Sequence, residues 1–387
     1  MKLMHLSDLH LGKRVNEFSM IEDQDYILKQ ILDIIDREHV EGILVAGDVY
    51  DKPIPTVEAV QLLDQFLVEL GARKLPVFLI SGNHDSAQRL SFGNRLLSAG
   101  GLYIASEYDG TVPSVTVSDD YGDIDIYMLP FVKPSHVRRF DAEVEAGDYT
   151  GAVRAALSAV PRDRQRRNIL LSHQFVTGAS RSESEEISVG GLDNVDAEVY
   201  EGFDYVALGH IHGPQNLRCG KNDDNGDLTK IRYCGTPLKY SFSEAGHTKS
   251  VTIVDMKEKG TVNVDTIPLE PLHDMRQIRG TYLDVTAKEF YRTFDQNDYI
   301  HVTLTDEEDI PDAVGKLRII YPNLMKMSYD NTRTQREQSV DGAQQVEQKS
   351  PIELFEELYR LQNNQEMSKE QREASLKLME KIREGEV

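Results

Sequence analysis

Cysteine is nearly absent: the 387-residue chain has two, Cys219 and Cys234. That excludes a disulfide scaffold and a cysteine-rich zinc module, and two reduced, structural thiols are expected. Long apolar runs are also missing. No stretch approaches the ~20 residues of a membrane span. Residues 1–11 are apolar but interrupted by His5, Ser7, Asp8 and His10, with no basic region, so no signal peptide is expected. The expectation is a cytoplasmic protein with no membrane partner. Positive charge is short as well. Lys plus Arg is 43 against 65 for Asp plus Glu, a net charge of −22. Such a chain is not held on a polyanion by its overall charge, so a phosphate-bearing substrate would need a local cation.

What is present suits a globular protein: 40% apolar and 28% charged residues. Short apolar runs at 2–6, 42–46, 76–80, 124–129, 168–171 and 205–208 read as strands. Helical spacing of apolar residues at 23–40 and 56–70 places helices between them, which argues an α/β fold. From 231 to 267 the pattern turns β-rich. A second unit begins near Asp274 and reads as strand 282–285, helix 288–294, strand 299–304, helix 311–320 and strand 323–329. A Gln- and Glu-rich linker follows. Two helices close the chain, one capped by Ser350 with Pro351 at its first position, the other opened by the pair Ser368 and Gln371. The organisation expected is 1–273, 274–333, a linker 334–350 and a tail 351–387.

Chemistry gathers where these strands end. The first runs into Asp8-Leu9-His10, the second into Gly47-Asp48, the third into Gly82-Asn83-His84-Asp85. Later strands end at Ser172-His173 and at Gly209-His210-Ile211-His212. Ligand crevices of open α/β sheets form at the carboxyl ends of strands. Taken singly, each piece has a bland explanation: a turn asparagine, a hydrogen-bonded core histidine, a helix-initiating aspartate. Five coincidences of metal-ligand residue types at strand ends leave the bland explanation little room. The set Asp8, His10, Asp48, Asn83, His173, His210 and His212 mixes oxygen with imidazole and contains no thiolate, which suits Mn, Fe or Zn. Seven ligands are too many for one ion and right for two that share a carboxylate. Two ions 3.5–4 Å apart, roughly, clamp the oxygens of a phosphoryl displacement, and they supply the missing positive charge.

The order DLH, GDVYD, GNHD, SHQ and GHIH resembles the calcineurin-like metallophosphoesterases. The opening MKLMHLSDLHLG and the segment GTPLKYSFSE resemble the nuclease branch that works with an SMC-like ATPase. The resemblance implies a calcineurin-like two-sheet α/β sandwich with a small α+β second domain and a C-terminal helical tail. It implies that Asp8, His10 and His212 bind one ion, Asn83, His173 and His210 the other, and that Asp48 bridges. His84 would donate a proton to the leaving oxygen, and Asp85 would orient His84. Lys52-Pro53, where many phosphatases have Arg-Gly, argues against a protein phosphatase.

Further expectations concern partners. Lys13 and Arg14 are better placed to meet a phosphate than the arginines of 162–167, read as a solvated helix end. Residues 180–188, with Arg181 among Glu residues, read as a loop after His173, either one that shapes a substrate channel or a plain connection. Helices 56–70 and 86–98 carry Leu62, Leu63, Phe66, Leu90, Phe92, Leu96 and Leu97, and could pair with a second copy; the resemblance implies a homodimer. Helices 351–383 carry apolar faces, and the resemblance gives them the ATPase as partner. The function expected is a two-metal, manganese-preferring DNA nuclease, 3′-to-5′ on duplex ends and endonucleolytic on single strands and hairpins. A small-molecule phosphodiesterase of the same superfamily and a non-catalytic scaffold for the ATPase remain the alternatives.

Overall fold

The computed structural model describes residues 1–182, 184–185, 193–219, 229–331, 350–363 and 366–384. The expected linker, apart from Ser350, and part of the 180–188 loop lie outside them. The principal strands in chain order are β1 (Lys2–Leu6), β2 (Gly42–Ala46), β3 (Val77–Ile80), β4 (Leu102–Ala105), β5 (Ser114–Asp119), β6 (Gly122–Met128), β7 (Arg167–His173), β8 (Tyr205–Gly209), β9 (Gln215–Leu217), β10 (Lys230–Tyr233), β11 (Ser250–Met256) and β12 (Val262–Pro268). One sheet has the order β12-β11-β1-β2-β3-β4, the other β9-β10-β8-β7-β6-β5. Strands β1 to β4 are mutually parallel, as are β6, β7, β8 and β10.

Both faces of the central strands are apolar, which is why the sequence shows runs rather than alternation. Leu3, Leu44, Phe78, Ile169, Leu171, Tyr205 and Ala207 pack between the sheets. Their neighbours Met4, Ile43, Val45 and Leu79 face helices α1 (Ile21–Glu38) and α2 (Val57–Ala72). Leu170, Val206 and Leu208 face α3 (Tyr149–Ser158). The result is a four-layer α/β/β/α sandwich. Cys219 and Cys234 are buried and free, as expected.

One inward position of β1 is histidine. His5 is fully buried, with Nδ1 2.9 Å from the Tyr205 hydroxyl and Nε2 without a hydrogen-bond partner among the described residues. Burial, aided by the Arg232 charge, pushes its imidazole down to about 3. An unfolded histidine takes up its proton near pH 6.5, so the stability His5 lends as a neutral ring is complete above that pH and is lost as the pH falls toward 3. At pH 4.5 the loss is about 3 kcal/mol, at ~1.4 kcal/mol per unit. Urea melts at pH 7.5 and 4.5 should therefore differ less in His5→Phe than in the wild type, by about that amount. Equal differences in the two proteins would sink this account.

The second unit is a three-stranded parallel sheet, β13 (Met275–Gly280), β14 (Tyr299–Leu304) and β15 (Leu324–Tyr329), over a core of its own around Val285, Val302, Leu317 and Tyr321. The segment expected as strand 282–285 is a helical turn, Tyr282–Thr286. Thr281 and Asp284 cap it reciprocally through side chain and backbone N–H, a local signal that outweighs the β-branched composition. The unit is tied to the sandwich at Asp23 of α1. The buried Asp23 carboxylate accepts from the Tyr299 hydroxyl at 2.6 Å and pairs with His273 at 3.0 Å.

Residues 86–98 do not form the single helix expected. Gly93, at φ 76°, separates two single turns, Ala87–Leu90 and Asn94–Leu97. Leu62, Leu63, Phe66 and Leu90 are buried in the chain's own core and offer little surface to a second copy, whereas Phe92 and Leu96 are 86% and 82% exposed and Leu97 is exposed as well. In the tail, α4 (Pro351–Asn363) and α5 (Lys369–Glu384) lie against each other through Arg372–Glu356 and Gln371–Tyr359. Ser350 with Glu353 and Ser368 with Gln371 cap them, and Phe355 and Leu358 stay exposed.

Candidate metal centre

Because β1, β2, β3, β7 and β8 are parallel within their sheets, their carboxyl ends meet at one edge of the sandwich. The loops leaving them interlock through the backbone: Asp8 N–H donates to the Gly47 carbonyl and His10 N–H to that of Asp48, each at 3.0 Å. The second sheet joins them. His210 N–H donates to the Asp8 carboxylate at 3.1 Å, and His173 Nδ1–H donates to the Ala46 carbonyl at 2.8 Å. All seven expected ligands are brought together.

Two glycines make this closeness possible. A Cβ on Gly82 would overlap the Asp48 carboxylate, and one on Gly209 would overlap the Ala46 carbonyl and the His173 ring. Asp8, His10, Asp48 and His210 all have positive φ, of 51°, 45°, 50° and 99°. A left-handed conformation costs about 1–2 kcal/mol for a residue with a side chain, and strain of this kind concentrated on one cluster marks a functional site.

On one side, Asp8, His10 and His212 offer ligand atoms within 4.8 Å of one another, with the Nε2 atoms of His10 and His212 3.1 Å apart. On the other, Asn83 Oδ1 lies 3.0 Å from His173 Nε2 and 2.9 Å from His210 Nδ1. The Nδ1 proton of His173 is committed to Ala46, so its Nε2 presents a lone pair when the ring is neutral. Asp48 Oδ2 stands 3.3 Å from His173 and 3.8 Å from His10, between the two sides. Burial opposes ionisation of Asp48, but the imidazole of His173 beside it, which against burial the Asp48 charge in turn raises to about 9 before any ion binds, holds its carboxyl well below the usual range. Burial pushes the imidazoles of His10 and His210 well down, so they remain neutral ligands. His10 Nδ1 is buried with no hydrogen-bond partner among the described residues. Buried imidazole nitrogens and carboxylate and amide oxygens converging this closely are what a pair of cations requires. The donor set fits a dinuclear metal site.

His84 is 19% exposed at its side chain, with Nε2 3.9 Å from Asp48 Oδ2. Its backbone N–H donates to Asp48 Oδ1 at 2.9 Å. The ring is oriented by the Asp51 carbonyl, which accepts from Nδ1–H at 3.0 Å. This corrects the role expected for Asp85. Its carboxylate is taken up by three backbone N–H groups, of Gly82, Val49 and Tyr50, at 2.9–3.1 Å. Asp85 therefore ties the loop after β2 to the loop after β3 and does not hold the His84 ring. Burial and the Asp48 charge push its carboxyl up to about 6 despite these bonds.

The basic residues also differ from expectation. Lys13 is paired with Asp51 at 2.7 Å, and the Arg14 guanidinium donates to the Glu17 carbonyl. Arg167 is buried on Asp119, and Arg166 pairs with Asp123, at the amino end of β7 and away from the metal edge. They are fold contacts rather than a solvated helix end. Several site residues escaped the sequence. Gln24 donates to the His10 carbonyl at 2.8 Å, Tyr240 to that of Leu9 at 2.6 Å, and Ser184, Glu185, Glu244 and Lys249 surround His212. The signals were the 180–188 loop, which holds Ser184 and Glu185, and the segment GTPLKYSFSE, which holds Tyr240 and Glu244, and nothing local says that either reaches His212.

An α/β/β/α sandwich with paired imidazole and carboxylate ligands at one edge defines a dimetal phosphoesterase, and residues 1–214 match the calcineurin-like phosphoesterase family. Residues 271–363 match a family described as the Type 5 capsule protein repressor C-terminal domain. The D subunit of the SbcCD nuclease from Staphylococcus epidermidis is 32% identical over 332 residues, 85% of each chain. The chain belongs to the calcineurin-like phosphoesterases and, within them, to the family of that SbcCD nuclease component. Two solved structures are similar at TM-score 0.39: a dimetal phosphatase from Danio rerio (12% identity, 70% of this chain and 99% of that one) and TT1561 of Thermus thermophilus (10%, 68% and 98%). By its family the chain is a metal-binding phosphodiester hydrolase of a nuclease family. Among the described residues no helix is long and apolar enough to cross a membrane.

Proposed function

We propose that this chain hydrolyses DNA phosphodiester bonds, as a 3′-to-5′ exonuclease on duplex ends and an endonuclease on single strands and hairpins, in DNA repair, replication and recombination. Manganese is the proposed metal, held by Asp8, His10 and His212 on one side and Asn83, His173 and His210 on the other, with Asp48 shared. The observation that carries this reading is the convergence of those seven side chains in a chain 32% identical to a component of a nuclease. Two divalent ions bound there would neutralise the phosphate and acidify the attacking water. The chain's own residues do the rest. Asp48 and the imidazoles fix the centre. His84, its Nδ1–H held by Asp51, turns Nε2 toward the same centre, and when protonated can pass that proton to the leaving oxygen.

The test compares release of nucleotides from linear duplex DNA with turnover of bis-p-nitrophenyl phosphate, both with Mn²⁺. Release of nucleotides is expected; hydrolysis of the small ester without any DNA cleavage, even with the partner ATPase present, would overturn the reading.

The proposed partner is the SbcC ATPase, bound through helices 351–383, whose Phe355 and Leu358 are exposed. A homodimer through the regions 56–70 and 86–98 is also proposed, now resting on the exposed Phe92, Leu96 and Val68. Truncation after Gln335, a point outside the described residues, is expected to leave metal-dependent cleavage of single-stranded DNA intact and to remove most SbcC binding. Co-purification of the truncated chain with SbcC at unchanged affinity would return the tail to a structural role.

A further inference from the structure

Behind His212, away from His10, lies a buried polar row that the proposed chemistry does not use. Ser184 Oγ is 2.6 Å from His212 Nδ1 and is hydrogen-bonded to Glu244 Oε1. Glu244 is fully buried, and its other oxygen accepts from Lys249 Nζ at 2.5 Å. Lys249, 5% exposed, also donates to the His212 carbonyl at 2.9 Å and to Thr236 Oγ1 at 2.6 Å. On the remaining side, Glu185 Oε1 accepts the His212 backbone N–H at 2.6 Å.

The directions of these bonds follow from what each group can do. An ammonium only donates, and a carboxylate paired with it only accepts. Ser184 has one hydrogen, and Glu244 takes it. At 2.6 Å from the serine oxygen, His212 Nδ1 must then be the donor. With its proton on Nδ1, the neutral ring carries its lone pair on Nε2, the atom that faces His10. Along the line from His212 through Ser184 both hydrogens point toward Glu244, so the buried carboxylate at one end sets the tautomer at the other.

Stability alone does not explain the row. A buried Lys–Glu pair costs desolvation that apolar residues of similar volume would avoid. The support of His10 is looser: its Nδ1 makes no hydrogen bond among the described residues and stands 3.7 Å from the Asp51 carboxylate.

We infer that Ser184 and Glu244, with Lys249 as the counter-charge, are positioning residues that fix the tautomer and ring orientation of His212 so that Nε2 is offered to the metal centre. The inference rests on the two-metal reading above. Carboxylates that back metal-binding histidines typically contribute about 10- to 100-fold in metal affinity.

The test uses the full-length chain stripped of metal, with ¹⁵N-labelled histidine, followed by calorimetric titration with Mn²⁺. The wild type should show His212 protonated on Nδ1 and take up two ions. Ser184→Ala should weaken one of the two sites by about 10- to 100-fold, leave the other unchanged and broaden or shift the His212 resonances; Ser184→Thr should restore both. Because Glu244→Gln strands the Lys249 charge and puts the fold at risk, Glu244→Gln with Lys249→Met is measured beside it, with the same weakening expected. Two unchanged affinities and unmoved His212 resonances in Ser184→Ala would overturn the inference. A wild type that binds fewer than two ions would overturn the two-metal reading instead, and with it the purpose assigned to the row.

Discussion

Asp48→Asn is expected to reduce DNA cleavage to background and to lower bound metal from two ions per chain to one or none. Asp48 is the carboxylate that stands between the two groups of ligands, and it belongs to both the cluster with His10 and His84 and the cluster with Asp8 and His173. Asparagine keeps the shape, tolerates the left-handed backbone at φ 50°, and can still accept the His84 backbone N–H. The substitution therefore removes charge while sparing the fold. Alanine would be a poorer choice, because it strands that buried N–H at a cost of about 1–3 kcal/mol. Elemental analysis after dialysis, paired with a thermal melt, separates loss of metal from loss of structure. Retention of two tightly bound ions would refute the shared-carboxylate assignment.

His84→Ala is expected to separate the two effects: both ions stay and catalysis falls. The ring lies at the open rim, 3.9 Å from Asp48, and is held by a backbone carbonyl rather than by another ligand. A positioned general acid contributes about 10²- to 10⁴-fold, and a loss of that size is expected in the rate constant for cleavage at saturating Mn²⁺. Near wild-type cleavage would remove the proton-donor role. Loss of one ion would make His84 a ligand, consistent with its place in the cluster with His10 and Asp48. A companion substitution, Asp85→Asn, should act differently. Asp85 serves the backbone of Val49, Tyr50 and Gly82, so it should lower the melting temperature as well as activity.

The contrast between those two neighbours shows what local sequence can carry. Strands 2–6 and 42–46 were legible to the residue, because an apolar run of that length is too short for a helix and is closed by turn-forming residues. The ligand residues were legible because each follows such a strand directly. The strand expected at 282–285 failed because composition was weighed above the Thr281–Asp284 cap. The helix expected at 86–98 failed because Gly93 was given no weight as a left-handed break. The family resemblance gave Asp85 the task of orienting His84, whereas the N–H groups it accepts from include two in the loop after the preceding strand, 35 and 36 residues earlier.

By itself the sequence determined the class of chemistry. Asp8, His10, Asp48, Asn83, His173, His210 and His212 each sit within four residues of a strand's end, and parallel strands bring such ends to one edge whatever lies between them. Tertiary structure alone decided how those side chains are held. His173 meets Ala46 across 127 residues, His210 meets Asp8 across 202, and Ser184 and Glu244 close on His212 from distant parts of the chain. Hydrogen bonds of that kind depend on the distance and direction between loops on different sheets. No spacing along a single strand encodes either quantity, so the ligands could be read from the chain while the groups that orient them had to be seen in place.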